Sequence, residues 1–210
     1  MEHVQAGIGN IKVMVYLTEE TLSDLSGLAA YLDAELKRAN NNSMADTRGL
    51  DRREAAARRD LWELKKEQLR RAGQLFDSRR ALVTAGLVQV IADQGWDHQD
   101  LPPLPGQARG RWVGSSNTGF SKHISVDLPA DLVVRAKAAC HQFSRPATDA
   151  LYKWRERNPR ATPTRPTRPG CEPEELAEYA RLAALILTPG DIWRDAVKTG
   201  IAMAKALATT

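Results

Sequence analysis

The chain has 210 residues, 42% of them apolar and 27% charged, and its net charge at pH 7 is +4. This length accommodates one large domain or two small ones. No run of about 18 apolar residues occurs and the first residues do not resemble a signal peptide, so no membrane span and no export are expected. Cys140 and Cys171 are typical of free thiols in a reducing compartment. With abundant Ala and Arg, these features favour a bacterial cytoplasmic protein, and the basic charge favours association with the nucleoid.

The beginning of the chain predicts a strand followed by a helix. Apolar residues alternate with others over residues 11–17, the period-two pattern of a half-buried strand. Thr18 is a suitable N-cap for a helix over residues 18–38, and the asparagine-rich run 40–43 is expected to end that helix. One face of the strand would carry Ile11, Val13, Val15 and Leu17, and the other Lys12, Met14 and Tyr16.

Two more helices are predicted before the middle of the chain. Residues 51–76 form a charged stretch in which acidic and basic side chains are neighbours on the helix surface. This pattern is typical of a solvated face or a coiled-coil arm, and its leucines suit self-association. Ser78 is an N-cap signal for a helix over residues 79–93, which Gly95 ends.

Turn-forming residues divide the second half of the chain. Residues 96–121 are rich in Pro, Gly and Ser and predict a linker. A second alternating strand covers residues 122–128, and helices are expected to begin at Pro129 and again at Ser144.

A basic, proline-rich segment, residues 158–170, predicts an extended linker. Residues 172–187 and 188–208 predict a C-terminal helical hairpin. The expected fold is therefore mainly α with a small antiparallel β-ribbon. Its expected units are residues 11–95, 122–157 and 171–208, joined by the two linkers.

Similar spacings recur along the chain and indicate an internal repeat. Pro129 and Ser144 are separated by the same number of residues as Pro173 and Thr188. The pattern predicts three incomplete copies, of which the first contains the charged helix as an insertion and the third lacks a strand. After Ser78 and after Thr188, a small residue and three larger apolar residues follow at the same distances from the cap. After Ser78 these are Leu82, Gly86, Leu87 and Ile91, and after Thr188 they are Ile192, Ala196, Val197 and Ile201.

A strand with a polar face followed by two short helices resembles the ribbon-helix-helix DNA-binding family, here in tandem, degenerate copies. The best match is the run Thr188-Pro189-Gly190-Asp191-Ile192 followed by Ala196-Val197. The resemblance implies an antiparallel ribbon that enters the DNA major groove, and a repressor or an accessory factor for plasmid transfer or partition. The ribbon would form either from the two strands of one chain or from like strands of two chains.

The resemblance also implies which residues meet DNA. The base-reading set on the outward strand faces would be Lys12, Met14, Tyr16, His123 and Ser125. Asp127 shares that face but suits DNA poorly, since phosphates repel a carboxylate, although it could accept from cytosine N4. Helix N-termini and basic segments would hold phosphate. That set is Ser78, Arg79, Arg80, Lys122, Ser144, Arg145, Arg160, Arg165 and Arg168.

No combination of residues typical of catalysis or of a metal site is visible, so no enzyme, metal or cofactor is expected. The expected function is sequence-specific binding of double-stranded DNA as a dimer formed through the strands or through helix 51–76. The alternative is a helical protein-interaction or assembly protein, in which helix 51–76 and the C-terminal hairpin bind protein. An antitoxin would combine both functions.

Overall fold

The computed structural model describes residues 9–71, 75–104, 119–159 and 172–208. Within them, six helices accompany one two-stranded antiparallel sheet, one face of which packs on helices, and this confirms the predicted fold class of a mainly α protein with a small β-ribbon. In chain order the elements are β1 (Asn10–Leu17), α1 (Glu19–Ala45), α2 (Arg52–Arg71), α3 (Arg79–Asp93), β2 (Lys122–Pro129), α4 (Ala130–Arg157), α5 (Pro173–Ala184) and α6 (Pro189–Ala208).

The two strands pair with each other, within the chain. Val13 lies opposite Val126 and Val15 lies opposite Ile124, so the apolar residues of both strands share one face of the sheet. That face is buried against the helices, because the alternation of side chains in a strand places every second residue on the same side. A two-stranded ribbon is marginal in water by itself, and packing on helices supplies its stability.

One hydrophobic core joins the sheet to α1, α3, α4 and α6. Thr18 caps α1, since its side-chain oxygen accepts a hydrogen bond from the backbone N–H of Thr21. Ser78 caps α3 in the same way through the N–H of Ala81. Both caps were predicted. Each cap fixes the residue at which its helix begins, and the apolar residues of both helices then lie in the core with the sheet.

The first long helix extends further than predicted. α1 continues through the asparagine run to Ala45, whereas a stop was expected at residues 40–43. Asn40 provides a physical reason, because its side-chain oxygen accepts a hydrogen bond of 2.6 Å from the indole N–H of Trp62 in α2. Tertiary contact thus overrides the weak helix propensity of asparagine. The second half of α1 (residues 31–45) and α2 are called the arm below.

The prediction that a helix begins at Ser144 is wrong. Ser144 lies inside α4, is 1% exposed, and donates a hydrogen bond from its hydroxyl to the carbonyl of Leu187. Pro146 is accommodated within the same helix on its exposed side. Buried residues before and after this point, from Val133 to Trp154, form one apolar face, and its burial outweighs the cost of the proline.

The two C-terminal helices do not form a hairpin of their own. α5 packs mainly on α4, where Tyr179 meets Trp154 with ring centroids 5.0 Å apart. α6 packs mainly on α3, and the backbones approach closely because Gly86 and Gly200 lie at the crossing. α6 therefore belongs to the same core as the N-terminal elements, although about a hundred residues of sequence lie between α3 and α6.

The two halves of the chain repeat the same order of elements, which is a strand, a long helix, a second helix and a third helix. The backbone of an antiparallel ribbon has local twofold symmetry, and an axis between Met14 and Ser125 maps the pair of Val13 and Val126 onto the pair of Ile124 and Val15, a shift of 111 positions (13 to 124, 15 to 126). With this shift, the buried Val13 and Val15 of β1 correspond to the buried Ile124 and Val126 of β2.

The core helices repeat at nearly the same spacing along the chain. Ser78 and Thr188, the caps of α3 and α6, are 110 positions apart (78 to 188). Gly86 and Ala196 are equally far apart, and these two equivalent positions meet at the crossing of the helices. The three incomplete copies expected from the sequence are thus two in the structure. The second copy takes α6 as its core helix, and the segment from Ser144 onward belongs to its long helix.

Cys140 lies in this core and is fully buried. Burial raises the pKa of its thiol to about 12, and the carboxylate of Asp191 adds to the shift. The raised pKa favours the neutral thiol in the folded state. The resulting stabilisation is complete below the ordinary thiol pKa of about 8.5 and is lost as the pH rises towards the folded-state value.

This burial predicts slow thiol chemistry. In a Cys171→Ser variant, which leaves Cys140 as the only thiol, we expect labelling by a thiol reagent at pH 8 to be very slow in native buffer and rapid in denaturant, because the thiolate is the reactive form. Time-resolved mass spectrometry measures both rates. Equal rates in the two solvents would contradict the buried position of the thiol.

Candidate nucleic-acid interface

The outer face of the ribbon is a mainly polar surface, and the opposite face packs on the core. Three residues of β1 (Lys12, Met14 and Tyr16) and three of β2 (His123, Ser125 and Asp127) alternate with the buried ones, and all six have exposed side-chain surface. The structure thus brings the complete predicted base-reading set, from both strands, onto one surface. Met14 is 50% exposed and lies at the centre of that surface, opposite Ser125.

The six side chains form three cross-strand pairs. Lys12 lies opposite Asp127, Met14 opposite Ser125, and Tyr16 opposite His123. The Tyr16 and His123 rings are tilted with centroids 5.8 Å apart. We call the pair of Lys12 and Asp127 the lysine end of the ribbon and the pair of Tyr16 and His123 the tyrosine end. Cross-strand neighbours at this spacing can contact the same ligand group or adjacent groups.

The N-terminus of α3 lies beside the lysine end. Arg80 donates a hydrogen bond of 2.8 Å to the side-chain oxygen of Asn10, the first residue of β1. Ser78, Arg79 and Arg80 are all exposed, and the first turn of α3 contains no acidic residue. Asp77, which directly precedes the cap, forms an ion pair of 2.6 Å with Arg70. With that carboxylate paired, the backbone N–H groups, the helix dipole and the guanidinium groups of Arg79 and Arg80 give this point a positive potential.

The N-terminus of α6 is different, although it occupies the equivalent position at the tyrosine end. Thr188 and Pro189 are buried, and Asp191 accepts hydrogen bonds from both the backbone N–H and the hydroxyl of Thr188. Asp191 also forms an ion pair with Arg194, whose guanidinium stacks on the ring of Phe120 4.1 Å away. The cap carboxylate and the covering side chains leave no positive site open to an anion here.

The other predicted phosphate-binding residues have different surroundings. Lys122 is exposed at the start of β2, with its ammonium 3.8 Å from the carboxylate of Glu19. Arg145 is exposed on α4. Ser144 lies in the middle of that helix, where the backbone N–H groups are already hydrogen-bonded and cannot bind an anion. The argument for an anion site at Ser144 therefore has no basis in the structure. Arg160, Arg165 and Arg168 lie outside the described residues.

Asp127 is the residue that sequence reasoning left out of the base-reading set. The structure places it on the same exposed face as the other five, directly opposite Lys12. The alternation in residues 122–128 already contained this information, and only the sign of its charge argued against it. Opposite a lysine, which can only donate, the carboxylate adds a group that can only accept.

Comparison with known proteins gives no relative: no family model, no curated protein and no solved structure matches the chain. No helix among the described residues is long and apolar enough to cross a membrane. In the same residues, no group of three or more His, Cys, Asp or Glu side chains is arranged to hold a metal ion. The fold and the ribbon surface are therefore the observations from which a function has to be argued.

Proposed function

We propose that the chain is a sequence-specific double-stranded DNA-binding protein that inserts the outer face of the β1–β2 ribbon into the major groove. The observation that carries this proposal is the ribbon itself. It is a two-stranded antiparallel sheet with one face in the core and the other lined by six side chains that have exposed surface. The major groove is wide enough for such a ribbon and displays a different pattern of donors and acceptors for each base pair.

The arrangement around the ribbon supports the same function. The chain contains two copies of a strand and a core helix, with the strands paired antiparallel and the helices crossing closely, and this resembles proteins of the ribbon-helix-helix type, which pair two chains. Here both copies belong to one chain, so a complete ribbon requires only one molecule. The exposed N-terminus of α3, with Arg79 and Arg80, would contact the DNA backbone beside the groove.

The biological role that fits such a protein is transcriptional repression or an accessory function in plasmid transfer or partition. Either role would place it at the nucleoid of a bacterial cytoplasm. The basic segment that contains Arg160, Arg165 and Arg168 would add contacts to the phosphate backbone that do not depend on sequence.

The experiment that tests the proposal is selection of bound duplexes from a random pool by the full chain, at about 150 mM salt, which suppresses purely electrostatic binding. Enrichment of one motif is the expected result. A pool that remains random after several rounds, with folded protein shown by circular dichroism, would overturn the proposal.

The linker arginines predict a specific effect on salt dependence. Replacing Arg160, Arg165 and Arg168 by alanine should lower the slope of log K against log salt by up to about 3, because each phosphate contact releases about 0.9 counterion. The preferred sequence should stay the same. Fluorescence anisotropy across a salt series measures the slope. The control replaces three exposed arginines at and just before the start of α2, Arg48, Arg52 and Arg53. An equal loss in both variants would contradict a role specific to the linker.

A second candidate function is protein interaction through the arm, and one observation favours it. Leu61 and Leu64 on α2 are 65% and 56% exposed. Neighbouring exposed leucines on a helix are typical of a contact surface. Replacing both by glutamate should leave the DNA affinity unchanged if the arm serves a protein partner or self-association. Sedimentation velocity of the two forms measures whether the arm joins copies of this chain.

A further inference from the structure

The ribbon has a twofold backbone but carries different side chains at equivalent positions. By the shift of 111 positions, Lys12 corresponds to His123 and Tyr16 corresponds to Asp127 (12 to 123, 16 to 127). A ribbon made from two identical chains carries the same residue at both equivalent positions and therefore reads the same sequence on both sides of its axis. In this chain the two equivalent positions differ: one pair carries the Lys12 ammonium and the His123 imidazole, and the other carries the Tyr16 phenol and the Asp127 carboxylate.

The chemistry available at the two ends is correspondingly different. At the lysine end, Lys12 can only donate and the Asp127 carboxylate can only accept. This combination fits a guanine–cytosine pair, whose major-groove edge has acceptors at O6 and N7 of guanine and a donor at N4 of cytosine. At the tyrosine end, the Tyr16 hydroxyl and the His123 imidazole can each donate or accept, and their rings add apolar surface.

The charges next to the two ends of the ribbon also differ. Beside the lysine end, α3 begins with exposed Ser78, Arg79 and Arg80 and has no acidic residue in its first turn. Beside the tyrosine end, the start of α6 is buried and carries the Asp191 carboxylate. The tyrosine end does have a cation in Lys122, but its ammonium lies 3.8 Å from the Glu19 carboxylate. A duplex bound along the ribbon would therefore meet the stronger positive flank at the lysine end, which favours one direction of the duplex over the other.

We infer that one molecule of this chain recognises a non-palindromic duplex site and binds it in a single orientation, with a guanine–cytosine pair under the lysine end. The inference rests on the proposed DNA-binding function and goes beyond it by specifying the class of site. The lysine and tyrosine ends are four residues apart along β1, or about 14 Å, which corresponds to about four base-pair steps. The two dissimilar halves of the site are expected at that separation.

The test uses the motif recovered by selection with the full chain. Three duplexes are compared by fluorescence anisotropy: the recovered site, a palindrome made from its lysine-end half, and a palindrome made from its other half. We expect an asymmetric recovered motif, one chain per duplex by native mass spectrometry, and binding to each palindrome at least about tenfold weaker. Recovery of a palindrome, or a palindrome bound as tightly as the recovered site, would overturn the inference and leave the proposed function intact. A pool without enrichment would overturn both.

Two variants assign the orientation, and both side chains are exposed, so that folding should be preserved. Asp127→Asn should change the base preference in the guanine–cytosine half only, by about tenfold at that pair, because the amide adds a donor where the carboxylate accepts. His123→Ala should change the preference in the other half only. The inference fails if either variant alters both halves equally, since that result would mean that the chain binds in both orientations.

Discussion

Replacing Gly86 by alanine is expected to lower the free energy of unfolding by about 3 kcal/mol, the upper part of the range for overpacked cores. A Cβ atom at this position would lie 1.9 Å from the carbonyl oxygen of Ala196 and 2.7 Å from the backbone N of Gly200. Both neighbours are backbone atoms of α6 and cannot rotate away. The helices would therefore have to separate, and the separation would loosen the packing that joins the two copies.

Gly27→Ala is the matched control for this measurement. Gly27 also lies inside a helix, but a Cβ atom there would meet nothing within 4 Å. Alanine has the higher helix propensity, so this variant should gain up to about 1 kcal/mol of stability. Urea denaturation followed by circular dichroism gives both values. If Gly86→Ala were as stable as the unmodified chain, the close approach of α3 and α6 would be contradicted.

The second large effect is expected on the ribbon surface. The double variant Lys12→Ala, Tyr16→Ala should lose specific DNA binding by about 100-fold or more, since each good contact to a base edge contributes about 1–3 kcal/mol of discrimination. Both side chains lie on the outer face of β1, away from the core, so the thermal unfolding transition should change little. Anisotropy with the selected duplex and with a scrambled duplex separates specific from nonspecific affinity.

The control for this variant uses the same two residue types elsewhere on the surface. Tyr31 is 48% exposed on α1, and Lys65 is exposed on α2, both in the arm. The variant Tyr31→Ala, Lys65→Ala should keep full affinity and specificity. Unchanged binding by the ribbon variant would remove β1 as the reading strand, and equal losses in both variants would indicate a general effect of charge instead of base reading.

The two predictions test two separate properties of the chain, the packing of its core and the side chains on the outer face of the ribbon. The buried face of the ribbon and the crossing of α3 with α6 hold two copies of one structural unit together within a single chain. The outer face is then free to carry different residues at equivalent positions, because no symmetry between identical chains constrains it. Gly86→Ala should disturb the first property, whereas the ribbon variants should disturb only the second.

Local patterns in the sequence were enough to locate most of the elements. The alternation around Val13 and Val126 predicts both strands and their buried faces, and the caps at Thr18 and Ser78 are where the sequence indicates. The exposed set on the ribbon follows from the same alternation. These features depend on neighbouring residues only, through the geometry of a strand or of a helix N-terminus, and can therefore be read without knowing what packs against them.

The tertiary structure alone decided which elements belong together. The sequence left open whether the strands pair within a chain, it indicated a new helix at Ser144, and it assigned α6 to a separate hairpin. In the structure, one apolar face buries Ser144 in the middle of α4, and the small residues Gly86 and Gly200 bring α6 onto α3. The physical reason is that a local pattern specifies which side of an element is apolar, whereas the partner of that side is chosen by the fit of two surfaces. Those surfaces lie about a hundred residues apart in this chain.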